Sequence, residues 1–325
     1  AVFLDEAQDL NPLQWEMFFY IEEQCKRSYI AGDDDQTIYG FQGAEPDIFV
    51  NLKGTFDPQT ESHRVPKKVH QKAFEVISQI PEENRVLKNW TPREAEGEVF
   101  ENMYLDEIDF VRDNWMILAQ TNKLLDEIGE YFYGLGIRFS GKVNSALPNK
   151  ILKAYQVWTR LNNGARVSGE EAQTVYEEFL SSQAGHVKHG FSSGKTLNTV
   201  ENVNLEELKE SHGLLATGSW EQLHMEDKIK DYIKTLLNRG DNLMEQTRIE
   251  LSTMHGSKGR ECNNVLIFPD YGAENQVRPY LEAIRNPDAQ HRLVYVAVTR
   301  AKNKLYLMAP LHDDKEFYTI GGIIQ

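Results

Sequence analysis

The apolar run Ala1-Val2-Phe3-Leu4 ends directly in Asp5-Glu6-Ala7-Gln8-Asp9. A short run of this kind reads as a buried strand, and the carboxyl end of a parallel strand is where open α/β sheets present their ligand-binding residues. The amphipathic stretch from Leu13 to Glu23 predicts a helix, Arg27 to Ala31 a second strand, and Gly32 to Gln36 an acidic loop after it. Strand, helix, strand and loop in that order argue for an α/β domain with a parallel sheet.

The same alternation returns further along. A strand near Gln59 to Ser62 leads into a helix from Pro66 to Ile80, and the polar stretch Pro81 to Gly97 reads as a linker. A second α/β unit opens with Val99 to Tyr104 and the apolar strand Trp115 to Ala119. The helix Lys123 to Tyr133, closed by Gly134-Leu135-Gly136, and a strand from Ile137 to Ser140 continue it. It resumes with strands at Glu250 to Thr253, Val265 to Phe268 and Lys304 to Met308, around a helix that includes Val294 to Arg300. Between the two parts lies a helical, polar stretch with Gly/Ser-rich loops near Ser181 to Thr196, read as an inserted subdomain.

With 325 residues, 40% of them hydrophobic and 26% charged, the chain can bury a core and divide into two or three domains. It carries no apolar run of membrane-spanning length and does not open on a basic and then apolar leader, so the expected location is cytoplasmic, with no membrane partner. Cys25 and Cys262 lack metal spacing and read as small packing residues. The net charge of −15 argues against unselective nucleic-acid binding, yet leaves room for a local basic groove or for bases stacked on aromatic rings.

Asp5 and Glu6 suit a pair in which one carboxylate holds Mg²⁺ through its water shell and the other takes a proton from water. A solvated helix start also favours acids. Downstream stands Tyr29-Ile30-Ala31-Gly32-Asp33-Asp34-Asp35-Gln36-Thr37-Ile38-Tyr39-Gly40-Phe41-Gln42-Gly43-Ala44. This segment, at its spacing from Asp5-Glu6, resembles the third motif of the superfamily one helicases of the UvrD, Rep and PcrA family. Three later segments extend the resemblance. Glu61-Ser62-His63-Arg64-Val65-Pro66 shares its arginine with the family's Asn-Tyr-Arg-Ser, although a plain surface arginine explains Arg64 equally. Leu251 to Cys262 resembles the fifth motif, with Arg260 and Cys262 in place of the usual Leu and Phe. Arg292 to Lys302 resembles the sixth nearly letter for letter.

The resemblance implies a RecA-like P-loop NTPase of class α/β with parallel sheets. Residues 1–90 would be the remainder of a first RecA-like domain, 91–145 with 247–325 a complete second one, and 146–246 a mostly helical accessory insertion. It implies ATP and Mg²⁺ as cofactors, Asp5 on the metal, Glu6 as general base, Gln36 as sensor of the terminal phosphate, and Arg64 and Arg300 on the transferred phosphoryl group. Gly259 and Glu261 would approach the nucleotide, while Tyr39, Phe41, Thr253 and His255 would meet DNA. The implied activity is an ATP-dependent DNA helicase, acting in repair or replication, that translocates on single-stranded DNA in the 3′ to 5′ direction towards duplex junctions. The phosphate loop that normally precedes the acid pair is not in this sequence, so the chain alone is expected to be inactive and its first strand short of sheet neighbours. Two alternatives stay open: a non-catalytic DNA-binding or partner-binding remnant, and the helicase part of an AddA or RecB type helicase-nuclease. Gly190 to Thr196 mimics a phosphate loop but has three residues between its glycines where the motif needs four. A flexible Gly/Ser loop explains it.

Overall fold

The computed structural model describes residues 1–110, 112–141, 145–191, 197–272, 276–312 and 314–319. The Gly190 to Thr196 segment, with Lys195, lies largely outside the described residues. The chain forms two compact units, one of Ala1–Ile128, Gly141–Val143 and Ile249–Gln325, the other of Gly129–Ser140 and Asn144–Arg248.

In the first unit β1 (Val2–Leu4) and β2 (Ser28–Ile30) pair in parallel, joined through α1 (Pro12–Glu22). The Asn11 side chain accepts from the Gln14 N–H, Gln14 returns the bond to the Asn11 N–H, and Pro12 supplies the first turn, which fixes where α1 starts. Trp15 and Phe18 close a small core with Ala7, whereas Leu13, Met17 and Tyr20 stand exposed on the same helix. Apolar residues therefore stand on the exposed face of α1 beside Gln14 and Glu16 as well as on its buried face, and the clean amphipathic helix expected from the sequence is corrected to one of mixed exposed face.

After α2 (Pro46–Val50), β3 (Glu61–Pro66) leads into α3 (Lys67–Ile77). The stretch expected to be a linker is instead built into the unit: β4 (Thr91–Arg93) pairs in parallel with β3, and Trp90 packs against the main core. Its polar composition concealed this, because its charged groups are engaged with partners far away in sequence.

β5 (Glu98–Met103), β6 (Trp115–Ala119), α4 (Asn122–Gly134) and β7 (Ser140–Gly141) follow. The strand expected from Ile137 is confined to Ser140–Gly141. Its backbone is satisfied otherwise: the Ile137 carbonyl accepts from the Tyr232 hydroxyl at 2.8 Å, and its N–H donates to the Phe132 carbonyl at 3.0 Å. Next come α5 (Asn149–Asn162), β8 (Val167–Ser168), α6 (Gly169–Phe179), β9 (Asn202–Val203), α7 (Leu205–Ser211) and α8 (Asp227–Asn238). These make the second unit mostly helical, around buried Trp158, Leu161 and Tyr176, with β8 and β9 paired antiparallel. Capping boxes at Ser168 with Glu171 and at Asn204 with Glu207 set two of its helix starts.

The chain returns to the first unit with β10 (Ile249–Thr253), β11 (Cys262–Ile267), α9 (Arg278–Arg285), α10 (Pro287–Val298) and β12 (Ala301–Met308). The sheet has six strands in the order β5-β12-β11-β6-β10-β7, and the four pairings from β5 to β10 are parallel. β6 is buried at every position, as a central strand covered on both faces must be. Together with α3, α10 packs its Leu293 to Val298 run into the main core. This order of parallel strands and covering helices is the α/β, RecA-like class expected from the sequence.

Candidate functional site

All the loops that carry the sequence motifs belong to the first unit, and several of them converge. The chain leaves β1 through Asp5 and Glu6 into a short 3₁₀ turn over Ala7–Asp9. The Ala7 N–H donates to the Ala31 carbonyl and the Ala31 N–H to the Leu4 carbonyl, so the ends of β1 and β2 are locked side by side. Gln8, fully buried, ties their loops together: its Nε2 donates to Glu6 Oε2 at 2.6 Å, and its Oε1 accepts from the Asp33 N–H at 2.9 Å.

Lys258 reaches the same place from the connection between β10 and β11. Its ammonium lies 3.1 Å from Glu6 Oε2, pairs with Asp9 Oδ2 and donates to the Gln36 carbonyl at 2.9 Å. It also stands 5.5 Å above the Tyr39 ring, within cation–π range. Burial pushes the Asp9 carboxyl above its ordinary range, although Lys258 pulls the other way.

Gln36 lies between two charges. Its Nε2 donates to Asp33 Oδ2 at 2.8 Å, and its Oε1 accepts from Arg300 Nη2 at 3.5 Å. Arg300, only 2% exposed, also donates to the Val296 and Arg260 carbonyls and to Thr299 Oγ1, all neutral oxygens. Burial, and then the nearby Arg64, lower its pKa to about 10. Arg64 is itself held below its ordinary value by burial, and its Nε, shielded from solvent, has no hydrogen-bond partner. A buried cation and a half-buried one that repel each other, the second with an unused donor, form a set that an anionic group would satisfy.

A ring cluster adjoins Lys258. Phe41, 72% exposed, meets His255 edge to face at 5.5 Å, and Tyr39 lies 6.0 Å from Phe41 and 6.3 Å from His255. The Tyr39 hydroxyl donates to the His255 carbonyl at 3.4 Å. Burial keeps the His255 ring below its ordinary pKa.

The structure thus brings together Glu6, Gln36, Arg64 and Arg300 with Lys258, and beside them Tyr39, Phe41 and His255. Asp5 is exposed and accepts from the Glu6 N–H at 2.9 Å. Thr253 closes its own loop through the Gly256 N–H at 3.0 Å. Gly259 forms a turn at φ 75°, a conformation that favours glycine. Glu261 pairs with Lys302 at 2.8 Å, which holds its carboxyl below the ordinary range. Reasoning from sequence missed the role of Lys258 as a hub and overlooked Arg85 and Lys88, which grip the Asp33–Asp35 run. The available signal was that three consecutive acids in a packed loop require cations.

Residues 123–311 match the UvrD-like helicase C-terminal domain, and residues 1–57 the UvrD/REP helicase N-terminal domain. The chain belongs to the UvrD-like helicase family. It is 30% identical to the ATP-dependent DNA helicase Rep of Buchnera aphidicola, over 94% of this chain and 60% of that protein. It is 24% identical to the chicken (Gallus gallus) F-box DNA helicase 1, over 96% of this chain and 29% of the relative. Against the F-box DNA helicase protein 1 of Schizosaccharomyces pombe the identity is 28%, over 94% and 33%. This UvrD-like chain therefore spans between 29% and 60% of the length of these relatives.

Proposed function

We propose that the chain is part of an ATP-dependent DNA helicase that moves along single-stranded DNA, 3′ to 5′, towards duplex junctions. The observation that carries this reading is the meeting of Arg300 with Gln36 at 3.5 Å, on the loop that continues into Tyr39 and Phe41. A group that contacts a phosphoryl group and rings that stack on bases then share one short segment, so a change at one end moves the other.

The half-buried Arg64 and the buried Arg300 fit the polyphosphate of ATP, and Asp5 would hold its Mg²⁺ through water. When bound, ATP supplies a phosphoryl group whose transfer to water is the energy source. Glu6 is assigned as the carboxylate that takes a proton from water, its Oε2 being held by Gln8 and Lys258, Arg300 as the fixed cation that neutralises charge on the transferred group, and Gln36 as the sensor. Gly259 and Glu261 line the nucleotide side. Tyr39, Phe41, Thr253 and His255 line the DNA side.

Residues 1–90 are read as belonging to one RecA-like domain, 91–145 with 247–325 to a second, and 146–246 as an accessory subdomain. Among the described residues no helix is long and apolar enough to cross a membrane, and the reading places the protein in the cytoplasm.

The test is ATP hydrolysis by the full-length protein that carries these residues, with and without single-stranded DNA. Glu6→Gln is expected to abolish DNA-stimulated turnover, and Arg300→Lys to lower it by about 10³. Phe41→Ala is expected to weaken the stimulation by DNA. Single-strand binding with no turnover and no nucleotide dependence would overturn the enzyme reading in favour of a non-catalytic remnant.

A further inference from the structure

The acids that precede Gln36 are held by a segment from the far side of the unit. Lys88 Nζ lies 2.8 Å from Asp33 Oδ1, 2.5 Å from Asp34 Oδ1 and 3.0 Å from Asp35 Oδ2, held by charge rather than by an aligned hydrogen bond. Three residues earlier, Arg85 grips Asp35 with two parallel bonds, Nε to Oδ1 at 2.9 Å and Nη2 to Oδ2 at 2.6 Å. Between them the Val86 N–H donates to Asp34 Oδ2 at 2.9 Å. The same segment is fastened to α10, because Arg292 Nη2 donates to the Asn84 carbonyl at 2.6 Å and Asn84 Nδ2 to Asp288 Oδ2 at 2.7 Å. Residues 84–88 therefore strap the loop that carries Gln36 to the helix that leads into Arg300.

Asp33 is the link in this strap that faces the site. Its Oδ1 is met by Lys88 and by the Asp35 N–H at 3.1 Å, and its Oδ2 by Gln36 Nε2 at 2.8 Å. Every group around the carboxylate is a donor. With its NH₂ committed to Asp33, the Gln36 amide turns its oxygen to Arg300. An amide rotated by half a turn would set its oxygen against the Asp33 carboxylate and its NH₂ against the Arg300 guanidinium.

We propose that Lys88 and Asp33 are positioning residues for the Gln36 amide: Lys88 fixes Asp33, Asp33 fixes which end of Gln36 faces Arg300, and Arg85 anchors the strap. The proposal rests on the reading of Gln36 as the nucleotide sensor. Asp33→Asn is the sharpest probe. Either orientation of the new amide puts an NH₂ against a donor, Lys88 on one side or Gln36 Nε2 on the other.

The experiment is a double-mutant cycle in the full-length protein, read as kcat and KM for ATP in saturating single-stranded DNA, with Asp33→Asn, Lys88→Met, Lys88→Arg and Gln36→Ala. Asp33→Asn and Lys88→Met are expected to lower kcat by on the order of tenfold or more with little change in KM. Neither should lower it further once Gln36 is Ala, and Lys88→Arg should restore part of the loss. Losses of the same size with and without Gln36 would mean a merely structural strap and overturn the proposal. So would normal kcat in both single variants beside an impaired Gln36→Ala. Normal kcat in Gln36→Ala would instead remove the sensor reading, and the proposal with it. If Lys88→Met fails to fold, the Asp33→Asn pair of measurements decides alone.

Discussion

Glu6 holds a backbone conformation of φ 54° and ψ 38°, left-handed and unusual for a residue with a side chain. A group assigned to proton transfer thus sits on strained backbone, kept there by the Ala7 bond to Ala31 and by the contacts of its carboxylate with Gln8 and Lys258. Glu6→Gly should be more stable than Glu6→Ala by about 1 kcal/mol in denaturant unfolding, since both lose the carboxylate and only alanine keeps the strain. Equal stabilities would mean that the turn relaxes freely. His255 gives a second test. Its folded pKa is depressed by burial, so the unfolded chain takes up its proton first as pH falls. The stability it contributes is present above about pH 6.5 and is lost as pH drops towards the folded pKa. The fall in unfolding free energy from about pH 7 to about pH 5 should be shallower in His255→Gln. It should not vanish, because burial also lowers the pKa of His70 and His291. An unchanged slope would show that His255 is not the group responsible.

Between residues and the whole unit stand elements whose worth depends on burial. The Arg85 and Asp35 side chains are 5% and 2% exposed, so Arg85→Ala strips a buried carboxylate of its two hydrogen bonds, leaves it to Lys88 alone and is expected to cost about 3 kcal/mol. Arg160 and Glu171, 38% and 39% exposed, form a pair of similar geometry at 2.8 Å in water. Arg160→Ala should cost less than ~1 kcal/mol. Chemical denaturation of both variants distinguishes a fastened segment from a decorated surface, and similar losses would contradict the assignment. The sequence alone made residues 81–97 look like a linker because charge and proline dominate there. Their partners, Asp33 to Asp35, Arg64 and Asp288, are remote in sequence and could be matched only in three dimensions.

At the scale of the molecule, each compact unit has buried apolar residues of its own, Ile117 and Leu118 in one and Trp158 and Leu161 in the other. Removing one large side chain from such a core costs about 2–5 kcal/mol. Ile117→Ala is expected to lower the melting of the first unit and Leu161→Ala that of the second, seen as separate shifts in calorimetry. One shared transition that moves equally in both variants would show that the units unfold together.

Local pattern was enough for most of the elements, though not for β4 or the extent of β7, and for the motif positions. Apolar runs such as Trp115 to Ala119, the Asn11-Pro12 helix start and the turn at Gly259 are decided within a few residues, where strand burial, capping and backbone sterics act. The order of the motifs, likewise, was legible as a family resemblance. Only the tertiary structure decided that Lys258 joins Glu6, Asp9, Gln36 and Tyr39, that Arg64 comes near enough to the buried Arg300 to repel it, and that Lys88 reaches Asp33. Those contacts join residues from about 50 to 260 positions apart. A charge carries no record in the sequence of which opposite charge it will meet, so their pairing is set by how the sheet and its covering helices pack.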